Sequence, residues 1–167
     1  MFTGEGRGPV SGRGRQTYEL AKLVLNGQYI PIIGAGKARW NNVHIEDLSD
    51  VYVILVEAAV AGKTEGLWGA KGYYFTENGE HVWGDLARHT GKEAEKLGFA
   101  KSLEEKSLER DAAIEQAGFE AESWGLNSRA KAERAKHSLG WKPYRQSIED
   151  EIPTILKSEH KLLSKGK

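Results

Sequence analysis

Apolar positions recur at helical spacing in several stretches of this chain and as short extended runs in others. From Gln16 to Asn26, Leu20, Leu23 and Val24 share one face, which predicts a helix stopped by Gly27. Tyr29-Ile30-Pro31-Ile32-Ile33 predicts a short strand ending at Gly34-Ala35-Gly36, and its proline favours a sheet edge. Asn42 to Ile45 reads as extended. A helix then starts near Glu46-Asp47, whose carboxylates suit the positive end of a helix dipole. Leu48, Val51, Tyr52, Leu55, Ala58 and Ala59 keep helical spacing, while Val53, Ile54 and Val56 make the other sides apolar. This predicts a helix buried nearly all round, at the centre of the core. Gly72-Tyr73-Tyr74-Phe75-Thr76 reads as a strand bounded by the turn Asn78-Gly79.

Residues 81–97 read as a helix with Val82, Leu86 and Leu97 inward. Residues 101–116 are charge-dense, with Leu103, Leu108 and Ile114 as sparse apolar positions, and read as an exposed helix or helix-loop insertion. Ser128 to Ser138 is a short basic helix capped by Asn127 or Ser128 and stopped at Gly140. A last helix, Ile148 to Leu163, frays into Lys165-Gly166-Lys167. Residues 4–14 carry five glycines and read as a loop. No internal repeat or linker interrupts residues 1–167, so a single unit is expected.

The 167 residues suffice for one domain with a real core. Hydrophobic residues make up 39%, with five Trp and six Tyr, which marks a globular chain. Lys+Arg and Asp+Glu balance at 24 each, which removes the electrostatic case for nucleic acid or anionic membrane. The absence of cysteine excludes disulfides, thiolate nucleophiles and Cys-based zinc sites. No run approaches the roughly 18 apolar residues of a membrane span, and no secretory signal is visible. A soluble, cytoplasmic protein is expected.

The sharpest local signal is Val43-His44-Ile45-Glu46-Asp47-Leu48. A strand would deliver His44 inward, and Asp47 would cap the following helix or pair with His44. Such a pair serves as a structural lock, the favoured reading, or as a proton-transfer pair. Tyr18 and Lys22 have i, i+4 spacing and read as a surface pair. Gly34-Ala35-Gly36-Lys37 has neither a third glycine nor Gly-Lys-Ser/Thr, so it fails the dinucleotide and P-loop patterns and reads as a turn. Histidines 44, 81, 89, 137 and 160 are too scattered to suggest a metal site. Arg129 to Lys142 alone would suggest an anion-binding or nucleic-acid face, opposed by the zero net charge and by a bland reading in which Glu133 and the lysines pair locally.

Four segments in order resemble the C-terminal half of an extended or atypical short-chain dehydrogenase/reductase, the NAD-dependent epimerase/dehydratase-like group. They are Gly4-Glu5-Gly6-Arg7-Gly8-Pro9-Val10, the Val43–Leu48 signature, Tyr73-Tyr74-Phe75-Thr76-Glu77-Asn78-Gly79-Glu80, and Asn127-Ser128-Arg129 followed by Leu139-Gly140-Trp141-Lys142-Pro143. The resemblance implies a helix-rich α/β fold, the substrate-side part of an NAD(P)-binding Rossmann-type dehydrogenase without its N-terminal nucleotide-binding strands. It implies that His44, Asp47, Gly140 and Trp141 are structural signature positions, with Trp141 packing the C-terminal helix onto the core. Asn127 and Arg129 would reach toward the substrate cleft. Arg39 and Trp40 would flank it, Trp40 standing where the family often has a phosphate-holding arginine, which counts against nucleotide-sugar recognition.

The implied reaction moves a hydride between NAD or NADP and a carbonyl or alcohol substrate, or epimerises through such a step. The Gly-rich βα turn and a correctly placed Tyr-x-x-x-Lys pair are not among these residues, so no catalytic and no cofactor-binding residue is assigned. The isolated chain is expected to be inactive and to bind no cofactor, as a truncated gene model or an internal start would give. A non-catalytic binding module pairing with another protein is the alternative. Exposed sheet edges would favour self-association.

Overall fold

The computed structural model describes residues 1–9, 12–63 and 65–165. Val10 and Ser11 of the predicted glycine-rich loop, and the Gly166-Lys167 end of the predicted tail, lie outside the described residues. The chain forms a helix-rich α/β arrangement: β1 (Phe2–Thr3), α1 (Gln16–Gly27), β2 (Ile30–Ile33), β3 (Arg39–Asn41), β4 (Val43–His44), α2 (Ile45–Val60), β5 (Glu80–Val82), α3 (Trp83–Lys96), β6 (Glu105–Leu108), α4 (Arg110–Ala117), α5 (Glu133–Leu139) and α6 (Ile148–Lys165). The strands join in pairs: β1 with β4 and β2 with β6 in parallel, β3 with β5 antiparallel.

The larger core lies where α1, α3 and α6 pack on one another and on β2. Leu20, Ala21 and Val24 of α1 meet Leu86 and Ala87 of α3 and Ile152, Ile155 and Leu156 of α6, all buried, so the predicted inner face of α1 is the observed one. Gly27 is the last helical residue, and the left-handed residue after it is Gln28, at φ 53°. Gly27 is needed for another reason: a Cβ there would sit 2.5 Å from the Tyr29 ring.

Pro153 lies inside α6. Its missing N–H leaves the carbonyl of Glu149, one turn earlier, without a helical donor. His89 Nε2 of α3 lies 3.2 Å from that oxygen and, as donor, satisfies it. His89→Ala is expected to lower stability by about 1 kcal/mol, read as a lower urea midpoint; an unchanged midpoint would show that water serves the carbonyl equally well.

Several predicted elements are corrected. α2 is not buried all round: Tyr52, Val53, Val56 and Val60 are 65%, 53%, 61% and 85% exposed. One stripe of α2, with Val51 at its centre and Leu48, Ile54 and Leu55 beside it, packs against Ala132, Ala135 and Trp141. No second layer among the described residues covers the opposite side, and an all-apolar helix is buried all round only between two layers. Tyr73–Thr76 is not a strand. Tyr74 points inward, its hydroxyl donating to the Leu67 carbonyl at 2.8 Å, and Tyr73 and Phe75 point out. The alternation is strand-like, but no neighbouring strand among the described residues supplies a ladder.

Residues 80–82 pair with β3 before α3 begins, so the predicted helix starts two residues too early. Within the charge-dense stretch, Glu105–Leu108 is a strand; its exposed Glu105, Lys106 and Ser107 hide the pattern, as charged edge strands do. The basic helix is only Glu133–Leu139, because 126–130 runs extended along β3. It does stop at Gly140, in the left-handed region at φ 65°.

Candidate functional site

β3 is held on both sides. β5 pairs with it, and on its other edge the Arg39 N–H donates to Asn127 Oδ1 at 2.8 Å. The Ser128 N–H donates to the Arg39 carbonyl at 2.9 Å, and the Asn41 N–H to the Ser128 carbonyl at 3.1 Å. Asn127 therefore anchors a strand edge rather than capping a helix. Trp40 donates its indole N–H to the Leu126 carbonyl at 2.7 Å. Arg39, Trp40, Asn127 and Arg129, far apart in sequence, are thus brought together.

Glu80 of β5, which the sequence reading did not single out, organises the charge here. Its carboxylate accepts from Arg129 and, at 3.0 Å, from Arg39 Nη1. The hydrogen bonds from Arg129 and then Arg39 hold its pKa below the ordinary carboxylate range. Two guanidiniums on one carboxylate leave one net positive charge beside a polar cavity of about 540 Å³ that Arg129, Glu80 and Asn41 help to line. Glu77 also lines it. Burial pushes its pKa up, but hydrogen bonds from the Ala132 and Gly79 N–H groups and from Lys136 outweigh this and lower it.

A second cavity, of about 600 Å³, has Trp40, Phe2, Phe119 and Leu126 in its wall. It forms because residues 119–125, a 3-10 turn after α4, come alongside the start of α1; Gln16 Nε2 donates to Ser123 Oγ at 2.9 Å.

The signature residues His44, Asp47 and Trp141 make contacts within the fold, with different partners from those expected. His44 caps α2, its Nδ1 accepting from the Glu46 N–H at 3.2 Å. Its Nε2 lies 3.3 Å from the buried carboxylate of Glu151 on α6, so the predicted Asp47 pairing is replaced. Asp47, fully buried, neither caps the helix nor meets His44. Its carboxylate accepts from the Tyr144 N–H at 3.1 Å and the Arg145 N–H at 3.2 Å, pinning the segment after Trp141. Trp141 donates to the Asp47 carbonyl at 2.8 Å and packs α5 on α2, not the C-terminal helix on the core. One turn from the helix start, Asp47 faces this segment while His44 faces α6.

The Tyr18–Lys22 surface pair is also corrected. Tyr18 is buried under the Arg13 guanidinium, and Lys22 pairs with Glu19. Tyr18 lies on the inner face of α1, and its pKa is raised, by burial first. His81, another residue passed over, is buried against the edge of Trp83, with Nδ1 3.2 Å from Asn42. Among the described residues, no cluster of three or more His, Asp or Glu could hold a metal ion, and no helix is long and apolar enough to cross a membrane.

The fold is that of part of known NAD(P)-bound epimerases and reductases. RMD from Pseudomonas aeruginosa, complexed with NADPH, matches 96% of this chain over 45% of its own, at TM-score 0.57 and 15% identity. UDP-glucuronic acid 4-epimerase from Bacillus cereus, in complex with NAD, matches 97% of this chain over 43% of its own, at TM-score 0.54 and 14% identity. The resemblance to extended short-chain dehydrogenase/reductases is therefore present in the fold as a distant match. In sequence, the oxidase ucsJ of Acremonium sp is 38% identical over 163 residues, 93% of this chain. The chain spans 47% of that relative's length. No protein-family model matches the chain.

The glycine-rich stretches do not fit the phosphates of such a cofactor, which need free amides at a helix N-terminus behind a strand. In the Gly34-Ala35-Gly36 turn, the Gly36 N–H donates to Ile33, and the Gly36 carbonyl accepts from the Gly84 N–H at 3.1 Å. A Cβ on Gly84 would lie 2.4 Å from that carbonyl, so the turn is committed to packing on α3. Gly4 is filled by the His44 ring, 2.3 Å from where its Cβ would be, and the Gly6 N–H donates to Gly12. No chemical step is therefore assigned to a cofactor on these residues.

Proposed function

We propose that this chain is the substrate-side, C-terminal portion of an NAD(P)-dependent oxidoreductase or epimerase-like protein, inactive by itself, with NAD or NADP held by a nucleotide-binding half that packs over α2. The observation that carries this reading is the assembly of Arg39, Trp40, Asn127 and Arg129, with Trp40 in the wall of one cavity and Arg129 in the wall of the other. The uncovered side of α2 and the ladder-less Tyr73–Thr76 segment supply a face for that half. The same face favours a second reading, a non-catalytic module that docks another protein or a second copy of itself.

The substrate is a small carbonyl or alcohol compound, and the location cytoplasmic. Nucleic acid and membrane are not proposed as partners. Three cations of the basic segment are already engaged: Arg129 by Glu80, Lys136 by Glu77 at 3.3 Å, and Arg134 by the Gly66 carbonyl with its guanidinium over Tyr74.

The test is a chimera that joins this chain to the part of the Acremonium oxidase outside the matched 163 residues. Bound NADH or NADPH should show energy transfer from tryptophan in the chimera and none in the chain alone. A folded chimera that takes neither cofactor would leave only the binding-module reading.

A further inference from the structure

We propose that the cavity between Trp40 and Phe119 binds an uncharged, largely apolar compound. The inference rests on the substrate-side reading above and gives that substrate a class: an apolar carbonyl or alcohol compound rather than a phosphorylated sugar nucleotide.

Three large apolar side chains in the cavity wall are open to solvent, Phe2 at 58%, Phe119 at 73% and Leu126 at 52%. Together with Trp40 they bound a space of about 600 Å³, within the roughly 300–1,000 Å³ of small-molecule sites. An apolar ligand removes this surface from water, which is the main gain such a site can offer.

The side-chain charges around the cavity are already paired, and the Met1 ammonium, also in the wall, donates to the Asn41 carbonyl at 3.0 Å. Arg15 is paired with Glu120 at 2.6 Å. Arg13 is held by the buried Glu159 at 2.8 Å and by Glu19 at 2.9 Å. Glu122 is held by Arg110. A phosphate entering here would have to displace a carboxylate from its arginine while meeting the remaining acids of the wall. Trp40 has already spent its N–H on the Leu126 carbonyl, so it presents its ring to the ligand. The uncharged polar groups in the wall are Gln16 and Ser123, bonded to each other at 2.9 Å. Ser123 also donates its hydroxyl to the Glu120 carbonyl at 2.6 Å, so the second N–H and the carbonyl oxygen of the Gln16 amide are left for a single hydroxyl or carbonyl oxygen on an otherwise apolar molecule.

The experiment is a fluorescence titration of the full chain with 1-aminoanthracene, an uncharged probe, displaced by 2-undecanone or by UDP-glucose. Phe119→Asp and Leu126→Asp alter exposed side chains, and circular dichroism checks that they fold. Val56→Asp, on the exposed side of α2, controls for probe adhering there. Saturable binding is expected, displaced by 2-undecanone and not by UDP-glucose. Phe119→Asp or Leu126→Asp should weaken it by roughly tenfold or more, because a charge is then buried under the ligand, and Val56→Asp should leave it unchanged. Displacement by UDP-glucose, binding indifferent to Phe119 and Leu126, binding lost in Val56→Asp, or no saturable binding would each overturn the proposal. Neither cofactor nor turnover enters the titration, so its outcome is separate from that of the chimera.

Discussion

Replacing Trp141 by alanine is expected to destabilise the protein by about 4 kcal/mol. The indole is fully buried, and the buried residues clustered with it, Val43, Val51, Ala132 and Ala135, are small, with larger side chains such as Leu48 and Tyr74 only at the margin. Valine and alanine side chains are too short to fill the hole, so the cavity stays open and its lining loses contacts outright. The indole N–H also serves the Asp47 carbonyl, in the same residue whose carboxylate holds Tyr144 and Arg145. Trp141→Phe keeps most of the volume and should cost less than half as much. Urea unfolding followed by circular dichroism reads both effects. A Trp141→Ala midpoint equal to wild type would mean that α5 and α2 are not held together through this residue.

Stability should also fall by about 3 kcal/mol as the pH is lowered from neutrality to 4, through His81 alone. Burial, with a smaller contribution from the N-terminal ammonium, pushes the His81 pKa from 6.5 down to about 4. Between those values the unfolded chain binds a proton that the folded chain refuses. Stability from this group is therefore fully present above about pH 6.5, is lost on the way down to about pH 4, and changes no further below. Carboxylates titrate in the lower part of the same window, so the effect is read as a difference. His81→Phe keeps the edge-on contact with Trp83, 4.6 Å between ring centroids in the wild type, and should remove this slope. Wild type and His81→Phe losing stability in parallel would show that His81 is not what destabilises the fold in acid.

Much of the fold was legible because it is local. The inner face of α1, the edge strand around Pro31, the Gly34–Gly36 turn and the stop at Gly140 follow from side-chain spacing and from backbone angles that glycine adopts readily. The candidate site was half legible. Arg39, Trp40, Asn127 and Arg129 came from resemblance in two separate segments, and the structure places them side by side. Glu80, which ties Arg39 to Arg129, was named only as the end of the Tyr73–Glu80 segment and given no site role, since a glutamate after a turn carries no signal of its own. The spacing of Arg39 and Glu80 on paired strands could have suggested it, had β5 been read as a strand rather than as the start of a helix.

The sequence by itself determined the helices α1, α2, α3 and α6 to within a few residues, which glycines turn the chain, and which family its motifs resemble, because each rests on residues a few positions apart. Only the tertiary structure decided the pairings: His44 with Glu151 instead of Asp47, Asp47 with the loop after Trp141, and Tyr18 inside rather than out. It also decided which side of α2 is covered. An apolar helix records in its sequence that it can be buried on every side, but actual burial depends on the layers packed against it. Among the described residues that layer is α5 on one side of α2, and the other side is open to solvent.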